Sequence, residues 1–277
     1  MVKDKYFVVD AHCHIYPDKI AQKAVGVLEQ NVYNNLGIEK KAHTKATLSS
    51  LSDSMKEHNI DISVVMPIAT STKQSASINS FAVEVNKCEN FFSFGSVHPM
   101  QEDALEILEN IKGAGLLGIK LHPDYQGFFI DSKESLRVLK KCEELGLYVM
   151  LHAGEDIGIK PPVHCTPIRI INALEHLDGK NIIAAHMGGY NMWSAVIDHL
   201  CQTPIYFDTS YSVGEMPDDV ATQIIKTHGF DKILFATDSP WQNQGYVVKR
   251  VKGLNLGKEA EDAIFYKNGA KILGLKI

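Results

Sequence analysis

Eight short runs rich in β-branched and other apolar residues recur along the chain, near 6–13, 61–68, 91–98, 116–122, 147–153, 181–187, 204–210 and 232–238. Each is too short for a helix and is bounded by turn residues, so each reads as a strand. Helical spacing fills the gaps. Leu136, Leu139, Lys140 and Glu143 place apolar and charged residues on separate faces, and Ile170, Ala173, Leu174 and Leu177 recur at three and four. Segments 46–58, 74–89, 101–113, 191–201 and 217–228 are similar in length, and a last helix is expected over about 258–273. Strands alternating with helices imply parallel βαβ units, because a parallel neighbour needs a crossover of about a dozen residues or more. Eight such units in 277 residues match α/β architecture of the closed (β/α)8 kind, a single barrel domain over 1–277. A doubly wound open sheet is the structural alternative. It would normally carry a Gly-rich phosphate loop after its first strand, where this chain has Asp10-Ala11-His12-Cys13-His14.

The longest insertion, about 15–45, follows strand 1 and contains a helical stretch, 17–31. It is expected to form a flap over the barrel mouth, with Tyr16, Tyr33 and Asn34 reaching the substrate. Leu28, Val32 and Leu36, spaced by four, make an apolar stripe that faces either the barrel or a partner copy, so a homodimer is the one assembly considered.

Composition narrows the class. A chain that is 45% hydrophobic and 22% charged is neither disordered nor fibrous. Its 28 basic and 33 acidic residues leave a net charge of −5, which offers no footprint for nucleic acid or an anionic membrane. The expected partner is a small molecule. The 5 cysteines form no CxxC pair. Met1–Tyr6 holds no apolar signal region, and no run approaches the ~18 apolar residues of a membrane span. A cytoplasmic location is the simplest expectation.

The histidines carry more. His12 and His14 end strand 1, His98 ends strand 3, and Lys120 and His122 end strand 4. His152, His186 and Asp238 end strands 5, 6 and 8. In a parallel barrel these ends meet on the face that holds active sites. Side chains alternate across a strand, so His12 shares a face with His14, and by the same count with Val8 and Asp10. Lys120 shares one with His122. Imidazoles and a carboxylate converging there would be costly unpaired, and a divalent cation makes the set favourable, since these are the ligands of Zn²⁺ and related ions.

Blander readings stand beside these. Lys120 reads alternatively as a snorkelling surface cation, and His98 as a residue that turns the chain before Pro99. His164 is a lesser candidate for substrate contact. His43, His58, His176, His199 and His228 read as surface. Cys13, between the two histidines, is expected to point away from them as packing. Asp10 is either a partner of a ligand histidine or a simple buried hydrogen-bonder. Tyr125 and Phe128 beyond strand 4, and Trp241 beyond strand 8, could line a pocket for an unsaturated substrate.

Five segments resemble the amidohydrolase superfamily, and more narrowly its amidohydrolase 2 branch of metal-dependent hydrolases and aminocarboxymuconate-semialdehyde or resorcylate-type decarboxylases. They are Val9-Asp10-Ala11-His12-Cys13-His14, Gly118-Ile119-Lys120-Leu121-His122-Pro123, Leu151-His152-Ala153-Gly154, Ala185-His186-Met187-Gly188-Gly189 and Phe235-Ala236-Thr237-Asp238-Ser239-Pro240-Trp241. The resemblance implies His12, His14 and His152 as metal ligands, with Asp238 as a further ligand or as the base that takes a proton from water. It implies that His186 polarises the water or the substrate oxygen, or binds a second metal. One divalent ion is expected, zinc first and manganese next. Lys120 and His122 are then substrate-side groups, with Tyr125 and Trp241 beside them; a carboxylated Lys120 bridging two metals is the alternative.

The first function expected from this set is hydrolysis of an ester, lactone or amide by metal-activated water. The alternative is a lyase that decarboxylates a small unsaturated or aromatic carboxylic acid without oxidation. The same ligands serve both. A non-catalytic barrel would be expected to have lost Asp238 or one of the histidine pair, and the chain keeps them.

Overall fold

The computed structural model describes residues 6–276. Residues 1–5, part of the stretch read for a signal region, lie outside the described residues. The strands are β1 (Val9–Cys13), β2 (Ile62–Val65), β3 (Phe91–Ser93), β4 (Gly118–Leu121), β5 (Tyr148–Leu151), β6 (Ile182–Ala184), β7 (Tyr206–Asp208) and β8 (Ile233–Leu234). Each falls inside an expected run. β1-β2-β3 and β4-β5-β6-β7-β8 pair in parallel as two sheets. Backbone hydrogen bonds close both seams. Lys120 N–H donates to Gly95 O at 2.8 Å, Ala11 N–H to Phe235 O at 2.9 Å, and Asp238 N–H to His12 O at 2.9 Å. The result is the α/β barrel that the alternation implies.

Around it run α1 (Asp18–Leu36), α2 (Leu48–His58), α3 (Ser75–Val85), α4 (Ala104–Gly113), α5 (Pro123–Gln126), α6 (Lys133–Leu145), α7 (Pro167–Leu174), α8 (Trp193–Ala195), α9 (Asp218–His228), α10 (Gln244–Gly253), α11 (Lys258–Asp262) and α12 (Asn268–Leu273). α1 runs past the expected 17–31 and stops at Gly37, whose φ of 71° suits glycine. A π-helical turn, Ala263–Lys267, joins α11 to α12 where one continuous helix was expected. α10 escaped the sequence reading because Gly245 and Gly253 dilute its pattern. Gly245 is there for close approach: a Cβ would lie 2.6 Å from His58 Nδ1. No helix among the described residues is long and apolar enough to cross a membrane.

Two apolar layers follow from strand alternation. Val9, Ala11, Val64, Phe94, Met150, Ile183, Leu234 and Ala236 fill the barrel interior, against Ile272 and Leu273 of α12. Ile119, Leu121, Val149, Leu151, Phe207 and Phe235 face the helices. One expectation is corrected here. The β1–β2 register shifts between Asp10 and Cys13, a bulge that inserts one residue. Val9 and Ala11 therefore face the interior, and so do His12 and His14, whereas Val8 and Asp10 face the helix layer. Asp10 accepts hydrogen bonds there from Thr237 N–H at 3.0 Å, Thr237 Oγ1 at 2.6 Å and Gln244 Nε2 at 2.8 Å. It is a buried seam-holder. Burial pushes its carboxyl up, and these donors oppose the shift. Cys13 faces the helix layer, as expected.

Beyond β5 the chain passes Gly154 at φ 83°, paired with Tyr190 in an isolated bridge. A Cβ at Gly154 would overlap the Tyr190 backbone N and O. Gly154→Ala is therefore expected to cost about 3 kcal/mol or more, from left-handed strain plus overpacking. Urea denaturation checks this; a loss below about 1 kcal/mol would contradict the fit.

Candidate active site

The strand ends open on a cavity of about 320 Å³. His12, His14, Lys120, His122, Tyr125, His152, His186, Asp238 and Trp241 all line it, whereas Phe128, also expected at the pocket, is buried in the apolar core instead. The segment after β1 contributes Tyr16, Pro17, Ile20, Leu28, Val32, Lys40 and Lys41 to the same lining. Tyr33 does not contribute, being 52% exposed, and Asn34 is exposed and accepts from Gln30 instead. Of the stripe at 28, 32 and 36, Leu28 and Val32 line the cavity while Leu36 is exposed.

Local backbone turns several side chains inward. Lys120 and His122 follow Gly118 on the inward face of β4, and His152 follows Met150 on β5. His186 and Asp238 sit at φ 60° and 62° just beyond β6 and β8. Left-handed conformations cost non-glycine residues roughly 1–3 kcal/mol each and persist only where surroundings hold them. Here the holders are Asp208 Oδ1, which accepts from His186 N–H at 2.9 Å, and His12 O, which accepts from Asp238 N–H at 2.9 Å.

Among the described residues two groups could each hold a metal ion, His12 with His14 and Asp238, and His122 with His152 and Asp156. His14 Nε2 is 3.1 Å from Asp238 Oδ1 and 3.1 Å from His12 Nε2. The expected four-ligand set is thus divided. The His152 ring stacks on His122 at 3.9 Å, and its Nδ1 meets His186 Nε2 at 3.0 Å, which turns its Nε2 toward Asp156 at 4.0 Å. His122 Nε2 lies 3.1 Å from the same Asp156 Oδ2.

The donor chemistry fits a divalent ion. His152 Nε2 is buried with no hydrogen-bond partner, the state of a ligand atom awaiting a cation. Burial, reinforced by the Lys120 ammonium, holds His12 and His122 well below the ordinary imidazole value. Burial, then His122, does the same to His152. Neutral imidazole is the form that binds metal. Burial alone would raise the Asp238 carboxyl, but the hydrogen bond from His14 leads the effects that hold it below the usual range. Lys120 is 1% exposed, with Nζ 3.0 Å from His12 Nε2. It is a cavity residue rather than a surface cation, and burial pushes it down to about 8 against the pull of nearby carboxylates. Tyr16, Tyr125 and Tyr211 are pushed up by burial and stay protonated as donors.

Other histidines are placed elsewhere. His98 is buried and its Nδ1 accepts from Met100 N–H at 3.3 Å. His164 pairs with Asp124 at 2.8 Å, away from the cavity lining. His228, read as surface, is 4% exposed, stacks on Phe207 at 3.9 Å and binds Ile205 O through Nε2; its place on the inner side of α9 accounts for the error. Residues missed by the sequence reading include Asp156, Tyr190, Tyr211 and Asp208. Asp208 ends β7 and meets His12 Nδ1 through Oδ2 at 2.9 Å.

A family model described as amidohydrolase matches residues 9–275. No curated protein sequence matches the chain. Among solved structures, a 2,6-dihydroxybenzoate decarboxylase bound to 2,6-dihydroxybenzoate superposes with a TM-score of 0.75 at 15% identity, covering 98% of this chain and 100% of that one. A dihydroxybenzoic acid decarboxylase from Polaromonas, holding manganese and 2-nitroresorcinol, gives 0.68 at 15% identity over 97% of each chain. A protein described as a probable 2-pyrone-4,6-dicarboxylic acid hydrolase from Acinetobacter baumannii gives 0.64 at 17% identity over 97% of this chain and 99% of that one.

Proposed function

The chain belongs to the amidohydrolase family and is an enzyme of it, and on that footing we propose that it removes CO₂ without oxidation from a small unsaturated or aromatic carboxylic acid. The observation that carries this reading is the make-up of the cavity. Its lining holds a buried ammonium, Lys120, and the imidazoles of His12, His14, His122, His152 and His186 beside the carboxylates of Asp238, Asp156 and Glu155, and its apolar part includes Ile15, Met66, Ile68, Phe81, Ile157 and Trp241. The ammonium and imidazoles suit a carboxylate, and the apolar part suits a planar apolar body. The dihydroxybenzoate decarboxylases among the solved structures support decarboxylation above hydrolysis, reversing the order expected from sequence. The hydrolase neighbour keeps hydrolysis as the second reading.

His12, His14 and Asp238, whose donor atoms lie together, would hold the divalent ion, zinc or manganese, which supplies the positive charge that binds and orients a carboxylate; His152 stands beside them with His122 and Asp156. Lys120 Nζ donates a hydrogen bond to a substrate oxygen. His122 and Tyr125, whose rings meet at 4.5 Å, and Trp241 hold the substrate's body and exclude water. His186 supports His152 from behind. The bond from the carboxyl carbon to the substrate breaks, its electron pair stays on the substrate carbon, and CO₂ leaves. Asp238 delivers a proton to that carbon and regains one from solvent. A carboxyl held below its usual range rests ionised, so Asp238 takes its proton from solvent before each delivery.

The experiment is a panel of hydroxybenzoic and unsaturated acids, esters and lactones, offered to protein loaded with zinc or manganese. Loss of ultraviolet absorbance with matching CO₂ release is expected from an acid. Acid release from an ester or lactone, with no CO₂ from any panel member, would overturn the reading in favour of hydrolysis.

A further inference from the structure

Asp208 is fully buried behind the imidazoles. Its Oδ1 accepts from Ser210 Oγ–H at 2.5 Å, Ser210 N–H at 3.0 Å and His186 N–H at 2.9 Å. Its Oδ2 lies 2.9 Å from His12 Nδ1. An ionised carboxylate only accepts hydrogen bonds, so His12 carries its proton on Nδ1 and its lone pair on Nε2. Lys120 Nζ, 3.0 Å from that Nε2, is a donor and leaves no room for a second proton there.

The same logic continues through Ser210. Its single hydroxyl proton is committed to Asp208, so Ser210 Oγ can only accept from His186 Nδ1, at 3.0 Å. The Ser210 carbonyl accepts from the same nitrogen at 3.0 Å. His186 therefore carries its proton on Nδ1 and a lone pair on Nε2. That lone pair faces His152 Nδ1 at 3.0 Å, which must be the donor. His152 Nε2 is then bare. The opposite arrangement would bury an N–H at His152 Nε2, an atom with no hydrogen-bond partner, at a cost of about 1–3 kcal/mol.

We infer that Asp208, acting directly on His12 and through Ser210 and His186 on His152, is a positioning residue that places the proton on Nδ1 of all three imidazoles. Nε2 of His12 and Nε2 of His152 thereby carry lone pairs, without protons, in the cavity lining. The inference concerns proton placement within the protein and stands apart from whether the reaction is decarboxylation or hydrolysis. A histidine ring's free nitrogen is set by the bond its other nitrogen makes, and losing such a partner typically weakens metal binding about 10–100-fold.

Long-range ¹H–¹⁵N spectra of the ¹⁵N-histidine-labelled full chain, stripped of divalent ions, read the tautomers directly. Signals are assigned by single histidine replacements. His12, His152 and His186 are expected as Nδ1–H tautomers. In Asp208→Asn the amide N–H can turn to His12 Nδ1, so His12 is expected to shift toward the Nε2–H form, with zinc affinity in titration falling about 10–100-fold. His186→Phe removes the link to His152 alone. There His152 is expected to lose its Nδ1–H preference while His12 keeps it, a split that general loosening would not produce. An Nε2–H tautomer at His12 or His152 in the unsubstituted chain would overturn the inference, and this spectrum decides even if a variant fails to fold. So would an Asp208→Asn protein with an unchanged His12 tautomer and unchanged zinc affinity.

Discussion

Asp238→Asn is expected to lower the turnover of any acid accepted by the enzyme by about 10²–10⁴-fold, the usual effect of losing a positioned proton carrier. The amide keeps the size of the carboxylate, and the backbone bond from Asp238 N–H to His12 O at 2.9 Å is unaffected. The left-handed backbone at φ 62° is tolerated by asparagine at least as well as by aspartate. Stability should therefore stay within roughly 1 kcal/mol of the unsubstituted chain, which thermal melting can verify. The rate is read at saturating substrate. A near-normal rate would remove Asp238 from the proton path.

His14→Ala is expected to abolish stoichiometric retention of zinc or manganese after dialysis. His14 is the better choice for this test than His12. His12 is fully buried and its Nδ1 is the partner of the Asp208 carboxylate, so its removal would strand a buried charge at a cost of about 3–5 kcal/mol. The His14 side chain is 12% exposed and touches Asp238. The weakening should exceed the 10–100-fold typical of losing only a ligand's hydrogen-bond partner. A second readout is thermal. An ion at a hundred times its dissociation constant stabilises the native chain by about 2.7 kcal/mol, and this gain should vanish in the variant. Elemental analysis showing equal metal content in both proteins would place the ion elsewhere.

Much of this site was legible because barrel topology and the residue pattern agree. Each histidine or acid expected at a strand's end, His98 excepted, lines the same cavity once eight parallel strands close. What escaped did so for local reasons. Alternation counts residues and cannot see a bulge, so Asp10 was assigned the face of His12, when the extra residue in β1 turns it outward. Asp208 ends β7 as Asp238 follows β8, and the strand-end rule that found the others applies to it equally. Asp156 stands four residues beyond His152 in a loop, where spacing carries no directional information. His228 follows Lys226 and Thr227, and their polarity hid a ring that turns under α9 onto Phe207. Tyr33 and Asn34 were expected at the mouth because they fall in the inserted segment. The helix there is amphipathic, and they lie off the side that Leu28 and Val32 present to the cavity.

The central claim is that Asp238 and a divalent ion bound beside it serve decarboxylation, and isotope placement in the product tests it most directly. An acid turned over in the panel is incubated with the ion-loaded enzyme, once in D₂O and once in H₂¹⁸O, and the product is weighed by mass spectrometry. Decarboxylation predicts a product lighter by CO₂, with one deuterium on the carbon that lost it and no ¹⁸O, and no product after chelation of the ion. A product that keeps the carboxyl carbon and gains one ¹⁸O, or full turnover after chelation, would contradict the account.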